Sequence, residues 1–79
     1  MSETQKKPSW EDRARLFLKA EIKRANLTYD EVAERLKDHG FKENAASIAN
    51  KLARGKFSAT FMLATMAVVG RDAVALEEL

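Results

Sequence analysis

Between Ser9 and Gly70 the apolar positions recur at helical spacing in four successive runs, most of them opened by a capping residue. In the first, Trp10, Ala14, Phe17, Leu18, Ile22 and Ala25 share one stripe, with Arg13, Lys19, Lys23 and Arg24 flanking or opposing it. Ser9 stands at the cap position with Asp12 three residues on, which predicts a first helix over about Trp10 to Ala25. The whole stripe, Trp10 included, is the expected core face. Leu16 and Ala20 fall on the far side and leave an apolar spot for a second subunit or the N-terminal arm to cover.

The second run starts more sharply. Thr28 with Glu31 forms a capping-box pattern, Leu27 can staple onto Val32, and Val32, Ala33 and Leu36 face inward. Gly40 supplies a left-handed stop, Phe41 packs back onto the helix end, and a turn over Gly40 to Glu43 leads to Asn44, a capping residue. The third helix then runs over 44–54, anchored by Ile48 and Leu52, with Gly55 just past its end. Ser58 caps a fourth helix, Ala59 to Val69, that is apolar nearly all round and is therefore central or half-buried in a dimer. After Asp72, ALEEL suits a short acidic fifth helix whose end frays.

The pattern predicts an all-α fold: a compact four- to five-helix domain over residues 9–79, preceded by a polar arm at residues 1–8 that ends in Pro8. Hydrophobic residues at 46% and charged residues at 33% are those of a folded globular chain, small enough that oligomerisation would help its stability. Cysteine is absent, so packing alone must hold the fold, and a reducing compartment is natural. The first ten residues lack a signal-peptide core, and the longest uncharged run, Phe57 to Gly70, falls short of the roughly 20 residues that cross a bilayer. A cytoplasmic protein is the expectation.

The net charge of +2 says little, but its distribution is uneven. Residues 1–26 carry seven Lys or Arg against four Asp or Glu, and residues 42–56 carry four against one. Residues 27–41 and 71–79 are acidic, with two basic residues against four acidic and one against three. Basic excess thus gathers on the first helix and around IANKLARGK, the distribution of a small DNA-binding domain with an acidic back.

With Ile48 and Leu52 inward, the outer arc of the third helix is Glu43, Ala46, Ser47, Asn50, Ala53 and Arg54, with Lys51 to one side and Lys56 in the following loop. A helix entering the major groove needs short side chains at close approach, amide or guanidinium groups for base edges, and cations or hydroxyls for phosphates. Asn50 and Arg54, helped by Ser47, are the candidate base contacts, and Lys42, Lys51, Lys56, Arg13 and Lys23 the candidate phosphate contacts, with Lys6 and Lys7 on the arm. The plainer alternative is a solvated face with Arg54 favouring the helix C-terminus.

Other chemistries find no support. His39 has no second His or Cys to share a metal, Asp30, Glu31 and Glu34 suit a helix start, and no phosphate-binding glycine loop or serine triad is present. Trp10 and Tyr29 fall at helix starts, where aromatics pack on the core rather than stack on bases. A non-enzymatic protein with no cofactor, metal, membrane or small-molecule partner is expected. Leu16, Met62 and Met66 are the candidate contacts of a homodimer, with core filling the plainer role of the two methionines.

The order of these elements, LTYDEVAERL, an anchored next helix, RGKFS and an apolar fourth helix, resembles the Cro and lambda-repressor type of helix-turn-helix domain over about residues 10 to 70. It is also similar to a small bacterial family of unknown function marked by TY-x-E-x-A-x-x-L and NK-x-x-RGKF. The resemblance implies that the third helix is the recognition helix, that Gly55 lets the chain turn after it, and that two-fold dimers bind double-stranded DNA. One departure stands out: Leu36 and Ile48 are twelve apart, about five more than the tight turn of that family, because KDHGFKEN intervenes. That length either extends helix two by a turn or re-aims helix three. Two functions follow as expectations: a small sequence-specific DNA-binding regulator, or an antitoxin-like adaptor that holds a protein partner on helices one and four.

Overall fold

Each α-helix among the described residues starts on a side chain that takes up a free amide. The computed structural model describes residues 8–79; the expected arm, with Lys6 and Lys7, lies outside the described residues except for Pro8. The four helices are α1 (Trp10–Arg24), α2 (Tyr29–Leu36), α3 (Ala45–Arg54) and α4 (Ala59–Val68), with 3-10 turns at Lys37–His39 and Leu76–Glu78 and no strand among the described residues. The Ser9 hydroxyl accepts from the Asp12 amide at 3.1 Å, and that of Ser58 from the Phe61 amide at 3.0 Å. At α2 the box is complete: Thr28 Oγ1 accepts from the Glu31 amide at 3.1 Å, and Glu31 Oε1 from the Thr28 amide at 2.8 Å. The donated Thr28 amide, and after it the Thr28 hydroxyl, hold the Glu31 carboxyl below its usual value.

Helix ends follow one motif more often than the glycines foretell. After α1, Asn26 takes the left-handed conformation at φ 60, and the Leu27 amide bonds the Ile22 carbonyl at 3.2 Å. Asn tolerates this region through its short polar side chain, so α1 stops without a glycine. The extra length of KDHGFKEN goes first into the 3-10 turn Lys37–His39, which extends α2 as one of the two expectations required. The chain then reverses at Gly40, with the Phe41 amide on the Leu36 carbonyl at 3.1 Å, and Phe41 packs on the core as expected.

α1 and α2 each pack against both α3 and α4. Leu18, Val32, Leu36, Ile48, Leu52 and Phe61 are buried to within 2% and form the centre. Each such side chain contributes about 1.5 to 3 kcal/mol on burial. Phe61 meets Phe41 edge-on at 6.3 Å and Phe57 at 5.4 Å between ring centres.

Three expectations about faces need correction. Trp10 is 59% exposed rather than core; it lies in the first turn of α1, beyond the packed centre, with the Arg13 guanidinium 4.0 Å over its ring. Met66 is buried and Met62 half-buried, so the large apolar side chain that α4 turns outward is Leu63, at 63% exposure. An evenly apolar helix has no stripe to orient it, and contacts with α1 and α2 set its rotation. Finally, the C-terminal segment is tied down. Glu21, buried on α1, pairs with Arg24 at 2.7 Å and with Arg71 at 2.9 Å, and Arg71 also pairs with Glu78 and covers the Phe17 ring. Arg13 Nε donates to the Leu79 carbonyl at 3.0 Å. Among the described residues, this segment and Pro8 border the side of α1 that carries Leu16 and Ala20, and Leu16 stays 48% exposed.

Candidate nucleic-acid interface

The candidate face is built from the first turn of α3 outward. Asn44 Oδ1 accepts from the Ser47 amide at 2.8 Å, and Ser47 Oγ returns the bond by accepting from the Asn44 amide at 2.9 Å. This reciprocal pair fixes the start of the helix, and Ile48 and Leu52, at 0% and 1% exposure, fix its rotation. The side opposite them then carries Ala46, Asn50, Ala53 and Arg54, all exposed. Gly55, at φ 71, closes α3 with its amide on the Lys51 carbonyl at 2.8 Å. The chain turns there and presents Lys56 beside the end of the helix.

Five of the residues selected from the sequence, Ser47, Asn50, Lys51, Arg54 and Lys56, line one shallow cleft on this surface. They are not equally free. Ser47 Oγ donates to Glu43 Oε1 at 2.6 Å, so the hydroxyl is already engaged on both sides. Lys51 Nζ donates to both carboxylate oxygens of Glu43, at 3.1 and 3.0 Å, and stands 5.4 Å from the centre of the Phe61 ring. Glu43 was expected on the outward arc with the base contacts; its side chain is instead only 9% exposed, folded against α3 by these bonds. Asn50, Arg54 and Lys56 keep exposed polar ends.

The remaining candidates lie elsewhere. Lys42 is exposed beside a separate depression lined by Lys37, Gly40, Phe41, Glu43 and Asn44. Arg13 is half-buried between Trp10 and Leu79, and Lys23 is exposed in the last turn of α1. None of these three lines the cleft of α3. Sequence reasoning missed the part played by Glu43, although Glu43, Ser47 and Lys51 at i, i+4 and i+8 are the spacing of three neighbours along one helix face.

The arrangement offers hydrogen-bond donors at fixed spacing along one helix. Among the described residues no group of three or more His, Cys, Asp or Glu side chains is placed to hold a metal ion, and no helix is long and apolar enough to cross a membrane. None of the curated proteins and none of the solved structures matches the chain. One family model does, from the first residue of α1 into the C-terminal segment, and it includes the cleft. On that match, over residues 10–74, the chain belongs to the family described as Domain of unknown function (DUF6471).

Proposed function

We propose that this domain binds duplex DNA, with α2 and α3 acting as a helix-turn-helix pair of widened turn and the outer face of α3 set in the major groove. The observation that supports this most is the gathering of Ser47, Asn50, Lys51, Arg54 and Lys56 around one cleft. Small Ala46 and Ala53 beside them let the helix approach closely. Asn50 reads adenine and Arg54 reads guanine through paired hydrogen bonds, each worth roughly 1 to 3 kcal/mol of discrimination. Lys56 and Lys42 serve phosphates, so binding weakens as salt rises. The natural role is a small transcriptional regulator.

Variants separate the two kinds of contact. Asn50→Ala and Arg54→Ala should flatten the preference among sequences more than they lower total affinity, whereas Lys56→Ala should weaken all duplexes alike. An unchanged sequence profile in both Asn50→Ala and Arg54→Ala would remove these residues as readers.

A second reading, a protein-interaction adaptor, is favoured by one observation: Leu63 projects at 63% exposure from a helix that carries no charge. Leu63→Lys should abolish partner binding in that case and leave DNA binding intact in the first.

A further inference from the structure

We infer that Glu43 is an internal competitor for DNA phosphate: its carboxylate takes two of the three Lys51 donors and the Ser47 hydroxyl, so that Lys51 serves the nucleic acid fully only when Glu43 is displaced. The inference rests on the DNA-binding reading of the same face.

Three observations lead to it. Glu43 takes both bonds from the Lys51 ammonium, at 3.1 and 3.0 Å, and one from the Ser47 hydroxyl at 2.6 Å. An ammonium and a hydroxyl side by side are the donors that a phosphate oxygen uses, and a carboxylate fills the same role with less charge. Next, the helix start does not need this carboxylate, because Asn44 and Ser47 already cap each other. Last, the two partners differ in accessibility: the Glu43 side chain is 9% exposed and that of Lys51 is 33% exposed. The cation is within reach of a ligand that the anion does not meet first.

The consequence is electrostatic. With Glu43 in place the cleft offers Arg54 and Lys56 as cations without an ion-pair partner among the described residues, and a phosphate approaching Lys51 meets a negative charge already bound there. Sequence-independent attraction is thereby held down, which leaves Asn50 and Arg54 a larger share in choosing the site.

The test compares wild type, Glu43→Gln, Lys51→Met and the double variant on a short duplex of random sequence, over a series of salt concentrations, with circular dichroism to verify folding. Glu43→Gln should raise affinity about fivefold, the scale of one exposed charge pair, and steepen the salt dependence by roughly 0.9 in the log–log slope. Lys51→Met should erase both gains. Where Gln disturbs packing, Glu43→Ala gives the same comparison. An unchanged slope, or an equal gain in the Lys51→Met background, overturns the inference while the DNA reading stands. Absence of salt-dependent binding by any of the four proteins overturns the DNA reading itself, and this inference with it.

Discussion

Gly55 and Glu11 lie in direct backbone contact: a Cβ built on Gly55 would stand 2.5 Å from the Glu11 carbonyl oxygen and 2.9 Å from its carbonyl carbon. The glycine therefore does two things. It takes a left-handed φ of 71 to end α3, and it lets that end rest on the first turn of α1. Gly55→Ala meets strain and a clash with backbone that cannot rotate away. We expect a loss of about 2 to 4 kcal/mol, or more than roughly 10 °C in Tm for a domain of this size. Gly40→Ala is the control, since Gly40 has φ 84 with open space around it, and it should lose only about 1 kcal/mol. Equal losses in thermal unfolding would mean that the Glu11 contact carries no weight.

Thr65 is fully buried in α4, and its hydroxyl has no hydrogen-bond partner among the described residues. Burying a hydroxyl without a partner is unfavourable by roughly 1 to 3 kcal/mol, so Thr65→Val, close in shape, should leave stability unchanged or raise it by up to about 1 kcal/mol. Thr65→Ala opens a small void and should be the weaker of the two. Urea unfolding of both variants checks the order.

Arg71 joins the C-terminal segment to α1 through Glu21, and Glu21 is buried. Arg71→Met keeps an apolar stem over Phe17 but strips Glu21 of one of its two partners, Arg24 being the other. The variant should unfold at lower temperature, and its amides over residues 74–79 should exchange faster. Arg71→Met with Glu21→Gln should recover part of the loss, because no buried charge is left without a full complement of partners. Exchange at wild-type rates in the single variant would show that the packing of Val74 and Leu79 and the Arg13 bond to the Leu79 carbonyl hold the segment without Arg71.

Acid should loosen the molecule in a defined way. The Glu31 carboxyl is held below its usual value of 4.5, chiefly by the Thr28 amide, and that of Glu78 chiefly by the Ala75 amide and then by Arg71. For a carboxyl whose folded pKa is depressed, the stabilisation is present above the unfolded pKa and disappears as pH falls through the folded one. Stability should therefore decline below about pH 4.5, and Glu31→Gln should make that decline shallower while lowering stability at neutral pH. Parallel acid limbs for the two proteins would contradict the role given to the Thr28 box.

The helices were legible in the sequence because their ends are written in single residues: Ser9, Thr28, Asn44 and Ser58 all cap as their types predict. The outward placement of Asn50 and Arg54 was legible too, because Ile48 and Leu52 leave α3 one way to face. The rotation of α4 was not. With no charge between Phe57 and Gly70, its pattern favours no side, so Met66 passed for a surface residue and Leu63 went unremarked. The clamp of Glu43 on Lys51 spans two turns and depends on rotamers, which spacing permits but does not require. The Glu21 and Arg71 pair joins residues fifty apart, beyond the reach of any local pattern.

The most direct measurement is retention of random duplex DNA by the purified protein at about 0.1 M salt, where screening leaves close contacts intact, followed by sequencing of the retained pool. Enrichment of a short motif containing adenine and guanine, lost in the Asn50→Ala and Arg54→Ala double variant, is the result predicted here. A pool that stays unenriched, with no binding that strengthens as salt is lowered, would contradict the assignment of α3 to the major groove.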